Sequence, residues 1–176
     1  MPTHIVATKD LDPSEYAPYY QNYIDQAGEG GIHELLETQK GELLDFFDGM
    51  SSETASTVHA PYTWTITEVL AHIIDTEKIF SCRAHRIACG DDAELPGFDQ
   101  DALVANYDYS QTAISELASE FEALRTTNQA FFRRLNDQAW LNRGVCDQKQ
   151  ISVRAIAVLL VGHSNHHLKI LKQRLA

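Results

Sequence analysis

Four stretches of this chain repeat apolar residues at helical spacing. The first runs from about Gly31 to Phe47. It places Ile32, Leu35, Leu36, Leu43, Leu44 and Phe47 on one side, has a polar middle from Thr38 to Gly41, and stops near Gly49. The second opens on a start signal. Thr65 can accept the N–H of Glu68 while the Glu68 carboxylate reaches back, and Trp64 and Val69 can clamp the entry from either side. That helix is expected to run to about Cys89 and to end before Gly90. The third is expected to start near Ser110, with Tyr109 and Ile114 as its clamp and a stripe of Ile114, Leu117, Phe121, Leu124, Phe131, Phe132 and Leu135. The fourth starts near Ser152, with Ile151 and Ile156 in the clamping positions. Its stripe is Val153, Ile156, Leu160, His163, His167, Ile170 and Leu171. Ahead of Gly28, Asp12-Pro13-Ser14-Glu15 reads as a short helical start whose length Pro18 limits. No segment alternates at period two, and no repeat or linker divides the chain. The expectation is one all-α domain over residues 1–176, an up-down-type four-helix bundle with a short N-terminal helical extension.

Composition narrows the partners. The 176 residues include 25 acidic and 14 basic side chains, a formal net charge of −11. A broadly negative surface argues against nucleic acid and against an anionic membrane; a small-molecule substrate is the partner expected of the enzyme reading below. The apolar run Ile156–Val161 is about a third of the roughly 20 residues a membrane span needs. The first seven residues lack the charged and apolar regions of a signal peptide. Together with an odd number of cysteines (Cys82, Cys89 and Cys146) this suits a reducing cytoplasm, with all three thiols free. A homodimer is expected, since symmetric pairs are the commonest oligomers.

The phase of the histidines brings in chemistry. His163 and His167 are one helical turn apart, so their rings share a face. They continue the apolar stripe of the fourth helix and should point into the bundle. Buried imidazoles need partners for their ring nitrogens. A shared metal ion satisfies one nitrogen of each and takes the neutral ring that burial favours. Backbone groups or carboxylates inside the core would satisfy them as well. His72, flanked by Leu70, Ile73 and Ile74 on the second helix, is by itself more often a satisfied core histidine. Added to the pair, it supplies a third ligand from another helix, and three imidazoles suit zinc, nickel, iron or cobalt. His85 is about 140° out of phase with His72 and is excluded; His166 points about 100° from His167. Asp75, Glu77 and Arg83 are the candidate assisting groups on the second helix. Asp75 and Thr76 lie within reach of His72, and Arg83 could hold an anionic group or pair with one of the many acids. A di-iron bundle wants Glu-x-x-His on two helices, and the second and fourth helices lack it.

Trp64-Thr65-Ile66-Thr67-Glu68-Val69-Leu70-Ala71-His72 and Gly162-His163-Ser164-Asn165-His166-His167 resemble two segments of the DinB/YfiT-like superfamily. Phe80 to Ile87 and Leu95 to Asp99 resemble its DinB-like branch, so the likeness extends from about Tyr16 onward. The resemblance implies an up-down four-helix bundle in which His72, His163 and His167 hold a divalent metal. It also implies a metal-dependent enzyme, either a transferase that uses a low-molecular-weight thiol or a hydrolase. Other members are damage-inducible proteins without an assigned reaction, which leaves a non-catalytic, stress-related binding module as the alternative.

Overall fold

The structure, a computed structural model, describes residues 8–176. The signal-peptide reading of residues 1–7 lies outside the described part. In chain order the helices are α1 (Gln21–Ile24), α2 (Ile32–Phe47), α3 (Ser52–Ser56), α4 (Ile66–Ala88), α5 (Gln100–Ala105), α6 (Ile114–Arg133), α7 (Asp137–Leu141) and α8 (Val153–Arg174). The four long ones, α2, α4, α6 and α8, form the expected four-helix bundle. Among the described residues no helix is long and apolar enough to cross a membrane.

The start of α4 follows the reciprocal cap written in its sequence. The Thr65 hydroxyl accepts from the Glu68 N–H at 3.1 Å, and the Thr65 N–H donates to the Glu68 carboxylate at 2.7 Å. The helix ends with Gly90 at φ +84°, a conformation that costs a glycine little. Ser152 caps α8 by accepting from the Ala155 N–H. The third long helix departs from expectation at its start. The Ser110 N–H is taken by the Asp108 carboxylate in a turn, so the helix begins only at Ile114, with extended Ala113 before it and no side-chain cap. Tyr109 still packs into the cluster that holds Ile114.

A hairpin was not anticipated. Strands β1 (Arg143–Cys146) and β2 (Lys149–Ser152) pair antiparallel, with Cys146 opposite Lys149 across a two-residue turn. Asp147 and Gln148 both have positive φ, 52° and 61°, which matches the twist of a tight hairpin. Four-residue strands are too short for alternation to stand out in the sequence. Leu95 extends the hairpin: its N–H donates to the Val145 carbonyl and its carbonyl accepts from the Asp147 N–H, both at 2.9 Å. The loop around Pro96 and Phe98 is thereby fastened to β1. The N-terminal extension is a set of 3-10 turns leading into α1. The turn Pro13–Glu15 is capped by Asp12, and buried Glu15 bonds Ser152 and Arg154 at the start of α8.

Around the bundle, α2 packs on α6 and α8, and α4 packs on the same two, so α2 faces α4 across the axis. Lys78 meets Glu120 and His85 meets Phe131, so α4 and α6 run in the same direction. Trp64 meets Arg174 while His72 meets His163, so α4 and α8 run oppositely. Arg125 meets Gln39 and Gln129 meets Glu37, so α2 and α6 run oppositely and the helices run up, down, down, up along the chain: a four-helix bundle as expected, without the simple alternation of an up-down one. Returning from the end of α4 to the start of a parallel α6 requires the long connection that contains α5.

Two apolar clusters fill the bundle. One gathers Leu36, Phe132, Trp140 and the first half of α8; the other gathers Leu43, Leu70, Phe121 and Leu171. A polar layer lies between them. Arg125, 0 % exposed, donates to both carboxylate oxygens of Glu77 at 2.6 and 2.7 Å, to Gln39, and to Ser164 at 3.2 Å. Asn128 donates to the same Glu77 at 2.9 Å. The polar middle of α2 thus packs through Gln39.

Candidate metal centre

His72 occupies the second turn of α4 and is 3 % exposed, with the Trp64 ring 5.1 Å away. His163 and His167 project from α8 toward it. The Nε2 atoms of His72 and His163 are 3.0 Å apart, and those of His163 and His167 are 3.2 Å apart. One ligand atom from each ring lies within 4.8 Å of the others, and no other such group of three occurs among the described residues. Burial, with the charge of His166 adding to it, pushes His72 down to about 4. Burial first, then the neighbouring histidines, pushes His163 and His167 well below the ordinary range. All three rings are neutral at pH 7.

Three neutral imidazoles that converge on one another cannot all be satisfied by one another, because each converging Nε2 is either an N–H or a lone pair. A tetrahedral ion with Zn–N bonds of 2.0–2.1 Å sets its ligand nitrogens about 3.3 Å apart. The observed 3.0 and 3.2 Å separations are close to that spacing. The residues present fit a divalent transition metal, and the nitrogen donor set excludes magnesium and calcium as preferred occupants.

The glycine of the Gly162-His163 step has a local reason. A Cβ at Gly162 would stand 1.9 Å from the Tyr23 carbonyl oxygen. Its absence lets α1 press onto α8, which brings the Tyr23 ring to 5.5 Å from His163 and 5.3 Å from His166. His166 points away from the trio and meets the Gln26 side chain at 3.1 Å.

His163 also lines a cavity of about 510 Å³, together with Thr76, Tyr20, Tyr23, Phe80 and Arg83. The cavity accounts for the part of His163 left accessible. Thr76 lines it too; its hydroxyl oxygen is buried and has no hydrogen-bond partner. The fastened Pro96–Phe98 loop and the Asp147–Lys149 turn form the opposite wall.

The candidate assisting groups separate. Glu77 is bound to Arg125 and Asn128 in the polar layer. Asp75 approaches Lys78 at 3.7 Å rather than joining the histidines; one of its oxygens is buried without a partner, and burial raises its pKa. Arg83 does reach the cavity. It pairs with no acid among the described residues; its Nη2 donates to the Pro96 carbonyl at 2.7 Å. The Arg125–Glu77 pair escaped the sequence reading, although Arg125 and Asn128 lie in phase with Phe121 and Phe132 on the buried stripe of α6. Lys149, Tyr20 and Tyr23 also escaped it, since they come from a turn and from short elements without periodicity.

Fold and site together define a helix-bundle protein with a buried three-histidine cluster opening on a cavity. Residues 35–171 match the DinB superfamily, and the chain belongs to it. No curated protein matches this chain. Among solved structures it is similar to YfiT from Bacillus subtilis, described as a probable metal-dependent hydrolase with an unusual four-helix bundle topology. That similarity has a TM-score of 0.73 at 20 % identity, over 82 % of this chain and 85 % of the other.

Proposed function

We propose that this chain is a divalent-metal-dependent enzyme acting on a small molecule. His72, His163 and His167 hold the metal, and the reaction is a hydrolysis or a transfer to a low-molecular-weight thiol. The observation that carries the reading is the position of the cluster: three neutral ring nitrogens converge where His163 borders a 510 Å³ cavity. A purely structural ion is enclosed by its ligands, whereas a cluster that borders a cavity through His163 supports a position left open to a substrate. Zinc, nickel or iron bound there supplies a Lewis acid that makes water or a thiol nucleophilic near neutral pH. The description of YfiT as a probable metal-dependent hydrolase supports the hydrolytic form.

The chain's own groups set the conditions for that chemistry. Burial keeps the imidazoles unprotonated, so their lone pairs are available. Trp64 and Tyr23 pack against His72 and His163 and hold the rings in orientation. Thr76, one turn beyond His72 on the cavity wall, carries a buried hydroxyl without a hydrogen-bond partner. Tyr20, Phe80 and Leu160 give the cavity an apolar wall beside His163.

Elemental analysis of purified protein tests the reading, after repletion with zinc, nickel or iron. About one equivalent of metal per chain in the wild type and none in His163→Ala is expected. No metal in the wild type sinks the proposal. Turnover of activated esters against turnover of a thiol with an electrophilic acceptor then separates the two reaction forms.

A further inference from the structure

The cavity beside the histidines contains a cation that forms no ion pair with an acid among the described residues; Asp147 on the same wall acts on it only through space. Arg83 is only 4 % exposed. Of the five N–H donors on a guanidinium, one is used, by the Pro96 carbonyl. The group lies between the Phe80 ring, at 4.9 Å, and the Phe98 ring, at 5.5 Å. The other charges in the wall are matched internally. Lys149 pairs with Asp147, and Asp99 accepts the backbone N–H groups of Asp101 and Ala102 as the cap of α5. A buried charge without a counter-charge is costly, and here it occurs in a chain with 25 acidic residues. Among the described residues no carboxylate comes within ion-pair distance of this guanidinium.

Arg83 is also in register with the histidines. It follows His72 by eleven residues, about three helical turns, so the two share a face of α4 within about 20° and stand about 16 Å apart along the axis. Between them lies Thr76, with its buried and unpartnered hydroxyl. The walls along that path are the rings of Tyr20, Tyr23 and Phe80 and the side chains of Leu159 and Leu160.

We infer that the cavity binds an elongated carboxylate with an apolar or aromatic body, its acid group on Arg83 and its reacting end toward His163. A guanidinium fork matches a carboxylate with two parallel hydrogen bonds. One unmatched cation calls for one negative charge, which favours a carboxylate over a phosphate dianion. The apolar stretch of wall selects the body of the molecule, and its length selects against compact acids. Only the assignment of the reacting end rests on the metal reading above; the acid subsite stands on Arg83 alone.

The test is calorimetric titration of the purified full chain with phenylbutyrate and phenylhexanoate, each against its primary amide, with metal content measured on the same samples. The acids bind the wild type about tenfold or more tighter than the amides. Arg83→Gln abolishes that preference, and Arg83→Lys retains part of it. Equal binding of acid and amide to the wild type overturns the inference, as does failure of both to bind at millimolar concentration. An undiminished acid preference in Arg83→Gln does the same. The acid-against-amide comparison is made on the wild type, so it holds even where a variant folds poorly. Acid preference in a protein that takes up no metal leaves this subsite standing and sinks the metal reading. Metal-loaded protein without the preference does the reverse.

Discussion

Gly162→Ala sets two physical effects against each other and so tests how α1 is seated on the site. In a helix interior alanine is favoured over glycine by about 1 kcal/mol, so propensity alone predicts a more stable protein. The structure predicts the opposite. The new Cβ would lie 1.9 Å from the Tyr23 carbonyl oxygen and 2.7 Å from its carbonyl carbon. A carbon–oxygen contact needs about 3.3 Å, so α1 has to withdraw by about 1.4 Å. The obstacle is backbone, which no rotamer change can move. Withdrawal strains the Asn165 bond to the Gln26 carbonyl, now 2.9 Å. Overpacking costs about 1–3 kcal/mol and loss of that hydrogen bond about 1. After subtraction of the propensity gain, a net loss of about 1–3 kcal/mol remains, or a fall in Tm of about 2–12 °C for a chain of this size. Urea unfolding followed by far-UV circular dichroism measures it, with the slope of the transition checked for constancy. The histidines proposed as ligands sit on α4 and α8, so metal uptake is expected to persist. A variant as stable as the wild type, or more so, refutes the seating of Tyr23 on Gly162.

Three further outcomes are expected. Arg125→Met destabilises by about 3–5 kcal/mol because it strands Glu77 in the core, whereas Arg125→Met with Glu77→Leu recovers most of the loss; equal costs for the single and double variants in urea unfolding contradict the polar layer described above. Burial acts to raise the Glu15 pKa, but bonds from Arg154, the Asp12 N–H and Ser152 outweigh it and hold it below the ordinary 4.5. The folded-state value being the lower one, this carboxylate's contribution is complete above about pH 4.5 and is lost as pH falls through the folded-state value; the stability gap between wild type and Glu15→Gln should narrow with acid, and a gap independent of pH excludes the linkage. Chelation of metal-loaded wild type lowers Tm while His167→Ala shows no response to the chelator, and a matching response in both points to binding elsewhere.

Where one element faces the core with a regular stripe, the sequence was sufficient. The Thr65–Glu68 cap, the end of α4 before Gly90, the Ser152 start of α8 and the inward phase of His163 and His167 all follow from local pattern. The start of α6 did not, because Ser110 looks like a cap but spends its N–H on Asp108 in a turn. The hairpin was invisible because its strands are four residues long and its turn is Asp-Gln rather than a glycine pair. The order of helices around the bundle was equally hidden, since stripes say which face is buried and nothing about which neighbour covers it. At the site, the three histidines were legible and their surroundings were not. Arg83 looked like a surface ion-pair residue amid an excess of acids. Its isolation depends on where the Pro96 loop, β1 and α5 direct those acids, and that is a property of the tertiary fold.

The up, down, down, up course of the helices has a consequence for assembly during synthesis. His72 and His163 are separated by 91 residues in the chain, and α8, which supplies two of the three rings, is the last of the long helices to leave the ribosome. Until α8 docks antiparallel on α4, the nascent protein offers a lone histidine on a helix whose partner α6 runs in the same direction. Such parallel, long-range packing is slow to close and rich in non-local contacts. The three-histidine cluster therefore comes into being only at the final docking step, so that a metal captured by all three rings reports a finished bundle and discriminates it from every truncated or half-assembled form.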